Sequence, residues 1–144
     1  ELLDAAIVYS DNDAGHILFE NLGGWKEYKE AMTKYTSSIS DNYYSEDNVS
    51  TANTMNDVIT YLYAHKDEYQ GLVDNMKKAE PGEYLDRDIK QGMPQKYGMY
   101  DYALNSVGFV ECETPYSIVV LTSLGDKGED VMAKINSIAY EHFK

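Results

Sequence analysis

One cysteine, Cys112, occurs in 144 residues, which excludes an intrachain disulfide framework and a cysteine-built zinc cluster. Basic residues are scarce: 12 Lys+Arg stand against 25 Asp+Glu, a formal charge of -13. That balance repels a phosphate backbone, and no local basic cluster offsets it, so nucleic acid is not an expected partner. No stretch approaches the roughly 20 apolar residues of a membrane-spanning helix, and no basic-then-apolar leader is present. The first residue is Glu1, not methionine, and the chain starts in helical register, so the expectation is a part of a longer product. What is abundant is tyrosine, 14 against three phenylalanines and one tryptophan, a composition suited to half-wet positions where a ring is buried and its hydroxyl finds a partner. With 43% hydrophobic residues the chain can build the core of one domain.

Leu2, Leu3, Ala6 and Ile7 share a helical face, and Ile17, Leu18 and Leu22 repeat it before Gly23-Gly24. The spacing predicts two helices around a polar corner at Ser10 to Asp13, a third over Trp25 to Tyr35, and a loop over Thr36 to Ser50. Ser50-Thr51 caps a helix marked by Met55, Val58, Ile59 and Leu62; Leu72, Val73 and Met76 mark another, up to Pro81-Gly82. After Pro94 the period shortens. Gln95 to Tyr100, Ala103 to Glu111 and Tyr116 to Ser123 read as three strands, the last apolar enough to be buried on both faces. Past a Gly125 to Gly128 turn, Val131, Met132, Ile135, Ile138, Ala139 and His142 follow helical spacing to the end. The expectation is an α+β domain over residues 1–144, with a mainly helical part at 1–92 and an antiparallel three-stranded sheet plus a covering helix at 93–144.

Two stretches carry candidate chemistry. Ser10-Asp11-Asn12 reads as a helix cap, because these side chains compete for backbone hydrogen bonds, or as one wall of an active site. Gln95-Lys96-Tyr97-Gly98 places an ammonium on a strand, with a glycine that would let a ligand approach the backbone; the plainer reading is an edge lysine that blocks aggregation. His16, His65 and His142 lie on separate helices without carboxylate or cysteine at metal spacing, so no metal and no cofactor is expected. Asp86, Arg87 and Asp88 read as a solvated or locally paired turn, Cys112 as an ordinary thiol, and Met93 and Met99 as core or groove residues.

Taken together, in this order, Ser10-Asp11-Asn12 and Lys96-Tyr97-Gly98 resemble the S-D-N corner and K-[TS]-G strand of the penicillin-recognising serine hydrolases, the class A β-lactamases, D,D-peptidases and relatives. The resemblance extends to "SDNDAGHILFENLGG", to "STANTM" at Ser50 to Met55 and to "YSIVVLTSLG", and so covers essentially the whole chain. It implies that Ser10 relays a proton toward a leaving nitrogen and that Asn12 holds the substrate amide. Lys96 would supply positive potential for a carboxylate and for the relay. Gly98 would let the strand approach the ligand, the Met99 N–H would form half of an oxyanion hole, and Asp11 would tie the corner to neighbouring backbone.

Three positions depart from the family pattern. The family nucleophile sits in S-x-x-K upstream of the corner, and no lysine here has a serine three residues before it. Tyr97 replaces a Thr or Ser hydroxyl, and its phenol lies several ångströms further out. Glu46 is followed by Asp47-Asn48-Val49, which does not match E-x-x-L-N, so Glu46 is not assigned a deacylating role. In the family two strands from the preceding part pair beside the strand matching Tyr116 to Ser123; without them that strand is an open edge, expected to meet the missing segment or a second copy. The resemblance thus implies the C-terminal portion of a β-lactamase-like hydrolase acting by acyl transfer on a β-lactam or D-alanyl peptide, inactive by itself, in an extracytoplasmic bacterial setting. The alternatives are a D,D-peptidase or esterase of the same class, or a noncatalytic module binding cell-wall peptide or protein.

Overall fold

The structure is a computed structural model and describes residues 1–45 and 48–144; Glu46 lies outside the described residues. Among the described residues six helices and three strands follow in the order α1 (Leu2–Val8), α2 (Asn12–Asn21), α3 (Trp25–Met32), α4 (Ala52–Ala64), α5 (Gln70–Lys78), β1 (Gln95–Tyr100), β2 (Ala103–Val110), β3 (Tyr116–Thr122), α6 (Lys127–Phe143). The helical half, the strand meander and the covering helix follow the α+β reading. No helix among the described residues is long and apolar enough to cross a membrane.

The strands form an antiparallel sheet in the order β1-β2-β3, with Lys96 opposite Val107 and Val107 opposite Val119. Side-chain alternation along β2 splits the core into two. Leu104 and Val110 turn toward α6 and join Leu85, Ile118, Val120 and Met132, whereas Phe109 turns toward α4 and α5 and joins Ile59, Leu62, Val73 and Met76. Each core buries large aliphatic side chains at about 25 cal/mol per Å² removed from water, and this fastens helices to both faces of one sheet.

Local chemistry fixes the helix ends. Thr51 caps α4 by accepting the Thr54 N–H at 3.1 Å. Gly23 and Gly24 lie at φ +101° and +82°, in the left-handed region open to glycine, and end α2 before α3 begins. The segment between α3 and α4 is held by Asp57, whose Oδ2 accepts hydrogen bonds from Thr36 Oγ1, the Ser37 N–H and Ser38 Oγ at 2.9 to 3.1 Å.

Three expectations are corrected. β3 is buried on one face only: Ile118 and Val120 are covered, Val119 is half-buried and Leu121 is exposed beside a cavity. The Asp86 to Asp88 turn is locally paired but not solvated throughout: Asp86 is buried, its carboxylate accepting the Gly82 N–H at 2.9 Å, and Arg87 pairs with its neighbour Asp88 and also reaches Glu129 and Asp130. Gly128 lies inside α6, not in the turn before it. A Cβ there would stand 2.5 Å from Thr122 Oγ1 and 3.4 Å from Leu104, so glycine lets the helix settle onto the sheet. This close approach rotates α6 so that Gly128, Met132 and Asn136 face inward, leaving Val131, Ile135 and Ile138 exposed. Buried Asn136 is satisfied by the Tyr116 hydroxyl at 2.7 Å and by the Leu85 carbonyl at 2.7 Å.

Candidate active site

Two walls enclose a cleft of about 440 Å³. The first is the corner between α1 and α2. The N–H groups of Tyr9 and Asp11 both return to the Ala5 carbonyl, at 3.3 and 3.0 Å, and Ser10 between them takes φ +51°. Asp11, not Ser10, is the N-cap of α2, its Oδ1 accepting the Ala14 N–H at 2.8 Å. Capping therefore leaves the Ser10 hydroxyl available for another contact.

That contact comes from the second wall, β1. Lys96 and Tyr97 leave the strand on opposite faces, and Lys96 curls back along the strand edge. Its ammonium donates to Ser10 Oγ at 2.6 Å and to the Tyr97 carbonyl at 2.8 Å, and stands 4.5 Å from the centroid of the Tyr97 ring. Burial pushes the Lys96 pKa below the ordinary lysine value, while the negative charge of Glu80 pulls the other way. A desolvated ammonium hydrogen-bonded to a hydroxyl is a chemically competent proton relay.

All seven residues singled out in the sequence, Ser10, Asp11, Asn12, Lys96, Tyr97, Gly98 and Met99, line this one cleft. A Cβ at Gly98 would have no atom within 4 Å, so any side chain there would project into open space at the strand. Met99 is exposed beside it. Lys96, Tyr97 and Gly98 also border a second cavity of about 560 Å³ between the sheet, α3 and the start of α4.

Two residues beside the site were not anticipated from the sequence. Tyr84 stacks on Tyr97 with ring centroids 4.2 Å apart and planes 12° from parallel. Burial and the neighbouring Tyr97 push the Tyr84 pKa up to about 12. Nothing in the sequence pairs these positions, since Tyr84 sits in the irregular segment after Pro81-Gly82. Lys29, on the wall of the larger cavity, is buried, with its ammonium 5.5 Å from the Trp25 ring and 4.6 Å from Tyr43 and donating to the Val49 carbonyl at 3.4 Å. Trp25 lies four residues before Lys29 on one helix, a spacing that brings such pairs together. His65 stacks on Tyr61, and Cys112 Sγ lies 3.2 Å from the Thr114 carbonyl; neither borders the cleft.

Among solved structures the chain is similar to PBP-A, with a TM-score of 0.82 and 15% identity over 99% of this chain. It is also similar to a PBP-A mutant described as an acyl-enzyme complex with penicillin G, with a TM-score of 0.81 and 14% identity. At that identity the likeness establishes the fold. The chain spans 60% of the length of either structure. A family match extends over residues 1–143, and by it the chain belongs to Beta-lactamase2, the Beta-lactamase enzyme family.

Proposed function

We propose that the cleft is the amide-binding and proton-relay half of a serine hydrolase acting by acyl transfer on a β-lactam or a D-alanyl peptide. The observation that carries this reading is the 2.6 Å contact between Lys96 Nζ and Ser10 Oγ, made across a cleft that also holds Asn12, Gly98 and Met99. In the reaction the Ser10 hydroxyl passes a proton to the leaving nitrogen as the amide C–N bond breaks, and the Lys96 ammonium resupplies it. The Asn12 side chain holds the ligand amide. The Met99 N–H donates to the oxygen that gains charge in the transition state. Since no serine stands three residues before a lysine, the attacking hydroxyl of this chemistry comes from outside the 144 residues, and the chain by itself is expected to be inactive. The outer edge of β3 would meet a segment outside these residues or a second copy of the chain.

The test is intact-mass spectrometry of the complete gene product after exposure to benzylpenicillin and to its methyl ester. A covalent adduct with either supports the reading, with acylation slowed about 100-fold or more by Ser10→Ala or Lys96→Met. The absence of an adduct with both compounds overturns it. A second reading, a noncatalytic binder of cell-wall peptide, is favoured by Tyr97, whose ring replaces the family's small hydroxyl; reversible binding of a D-alanyl peptide by the complete product without an adduct would select it.

A further inference from the structure

Lys96 reaches Ser10 on a flexible four-carbon stem, so its aim depends on what surrounds the ammonium. Ser10 Oγ at 2.6 Å and the Tyr97 carbonyl at 2.8 Å each accept one of its N–H groups, and the nitrogen stands over the Tyr97 ring, 4.5 Å from the centroid. That ring is a movable wall, because Tyr97 is only half-buried. It is backed by Tyr84, which lies flat against it with centroids 4.2 Å apart and planes 12° from parallel. What holds Tyr84 therefore contributes to where the ammonium rests.

Tyr84 has a left-handed backbone, φ +49°, and so does Glu80, at φ +49°. A bulky side chain rarely adopts this conformation, which persists only where neighbouring groups over-determine it. Gln95, the first residue of β1 and 1% exposed, supplies most of that restraint. Its Nε2 donates to the Glu80 carbonyl at 3.0 Å and to the Glu83 carbonyl at 3.1 Å, and its Oε1 accepts the Leu85 N–H at 3.1 Å. The Glu83 carbonyl and the Leu85 N–H flank Tyr84 on either side along the chain. Asp86 and Asn136 add bonds to the Gly82 N–H and the Leu85 carbonyl, yet of these three side chains only Gln95 starts from the strand that carries Lys96. One buried amide thus sets the irregular segment 80–85 in register with the residue beside it. Were its bonds lost, Tyr84 could relax to an ordinary backbone conformation and turn its ring away from Tyr97.

We infer that Gln95 is a positioning residue for the Lys96–Ser10 relay: through the segment it pins, it keeps the Tyr84 ring behind Tyr97 and the Tyr97 ring beside the Lys96 ammonium. The inference rests on the reading of the cleft as a proton relay and adds the residues that aim it. Gln95 and Tyr84 touch neither Ser10 nor a ligand; they act through Tyr97.

The experiment uses the complete gene product with lysine labelled at Cε. Protons held over an aromatic ring resonate upfield, so the Lys96 Hε signals, assigned by their absence in Lys96→Met, are expected upfield of those of the exposed lysines. Gln95→Leu, which keeps both rings but removes the three hydrogen bonds, and Tyr84→Ala, which removes the backing ring, are expected to lose half or more of that displacement. Acylation by benzylpenicillin in both variants should slow roughly tenfold or more, as befits a misaligned proton-transfer group. Tyr84→Phe, which keeps the ring, is expected to retain the displacement. A purely structural role would lower the melting temperature and leave the Lys96 signal in place, and that result overturns the inference. Acylation within twofold of the parent in both variants overturns it as well. If Gln95→Leu does not fold, Tyr84→Ala decides by the same criteria. A parent that forms no adduct overturns the acyl-transfer reading and the inference with it, whereas an adduct that forms equally fast in parent and variants overturns the inference alone.

Discussion

Gly108 sits where β2 crosses the entrance to β1, opposite Gln95, and its replacement by alanine tests whether the cleft depends on a backbone-to-backbone approach. A Cβ at this position falls well inside van der Waals contact of the Pro94 carbonyl oxygen, 2.6 Å from Met93 Cε and 3.3 Å from Gln95 Cα. The methionine end can swing away at little cost. The proline carbonyl and the strand behind it cannot, so β1 must move outward by the better part of an ångström. Overpacking of this kind costs about 1–3 kcal/mol. The same movement stretches the hydrogen bond from the buried Phe109 N–H to the Pro94 carbonyl, 3.3 Å long in the native chain, which adds about 1 kcal/mol. The sum, about 3 kcal/mol, corresponds to a fall in Tm of roughly 6–12 °C for a chain of this size. Urea unfolding followed by far-UV circular dichroism measures it, with an unchanged slope showing that the compactness of both end states is preserved. Because β1 carries Lys96, the Lys96–Ser10 contact should also lengthen, seen as a shift of the lysine side-chain NMR signals. Gly15→Ala serves as the control: a Cβ there meets no atom within 4 Å inside α2, and the helix should gain about 0.5–1 kcal/mol. A Gly108→Ala variant within 0.5 kcal/mol of the parent, measured beside a stabilised Gly15→Ala, would refute the argument.

Asn136→Ala removes the partner of the Tyr116 hydroxyl and of the Leu85 carbonyl in a fully covered site, and should cost about 2–4 kcal/mol in the same unfolding assay; a loss under 1 kcal/mol would mean that the core reorganises around it. The lowered Lys96 pKa means that the unfolded chain holds that proton more tightly. Its contribution to stability therefore rises with pH in the window just below the ordinary value of 10.5, and pH-dependent unfolding of Lys96→Met should lack this rise. Tyr84 acts in the opposite sense above it: with its pKa pushed up to about 12 from 10.0, its contribution declines as pH climbs through that interval, and ultraviolet titration should show a phenol absent in Tyr84→Phe that ionises late. The outer edge of β3 is bare among the described residues, so sedimentation velocity should show concentration-dependent association; a monomer at every concentration with β3 amides protected from exchange would refute this.

The parts of the fold governed by local pattern could be read from the sequence. Strand starts at Gln95, Ala103 and Tyr116, the Thr51 cap and the Gly23-Gly24 stop all follow from turn chemistry and periodicity, which act over a few residues. The orientation of α6 could not be read in this way. Its apolar spacing marked Val131, Met132, Ile135, Ile138, Ala139 and His142, yet of these Met132 alone is fully buried, and the face turned inward is that of Gly128, Met132 and Asn136. Two of those three carry no hydrophobic signal; one is chosen for the space it leaves and the other for hydrogen bonds to groups far along the chain. The site divides in the same way. Ser10 to Asn12 and Lys96 to Met99 could be recognised as two motifs, and both border one cleft. Tyr84 was invisible because its significance lies in stacking against a residue on a strand, a relation set by packing and not by spacing.

The left-handed backbone of Ser10 has a consequence for how this corner can change. Serine has no intrinsic preference for φ +51°, and a residue held there stores on the order of 1 kcal/mol or more that its surroundings must offset. Glycine at position 10 would release that tension and firm up the junction of the first two helices, but it would silence the hydroxyl that Lys96 contacts. Robustness and chemistry thus pull one residue in opposite directions, and a homologue with glycine at this place would have exchanged the second for the first.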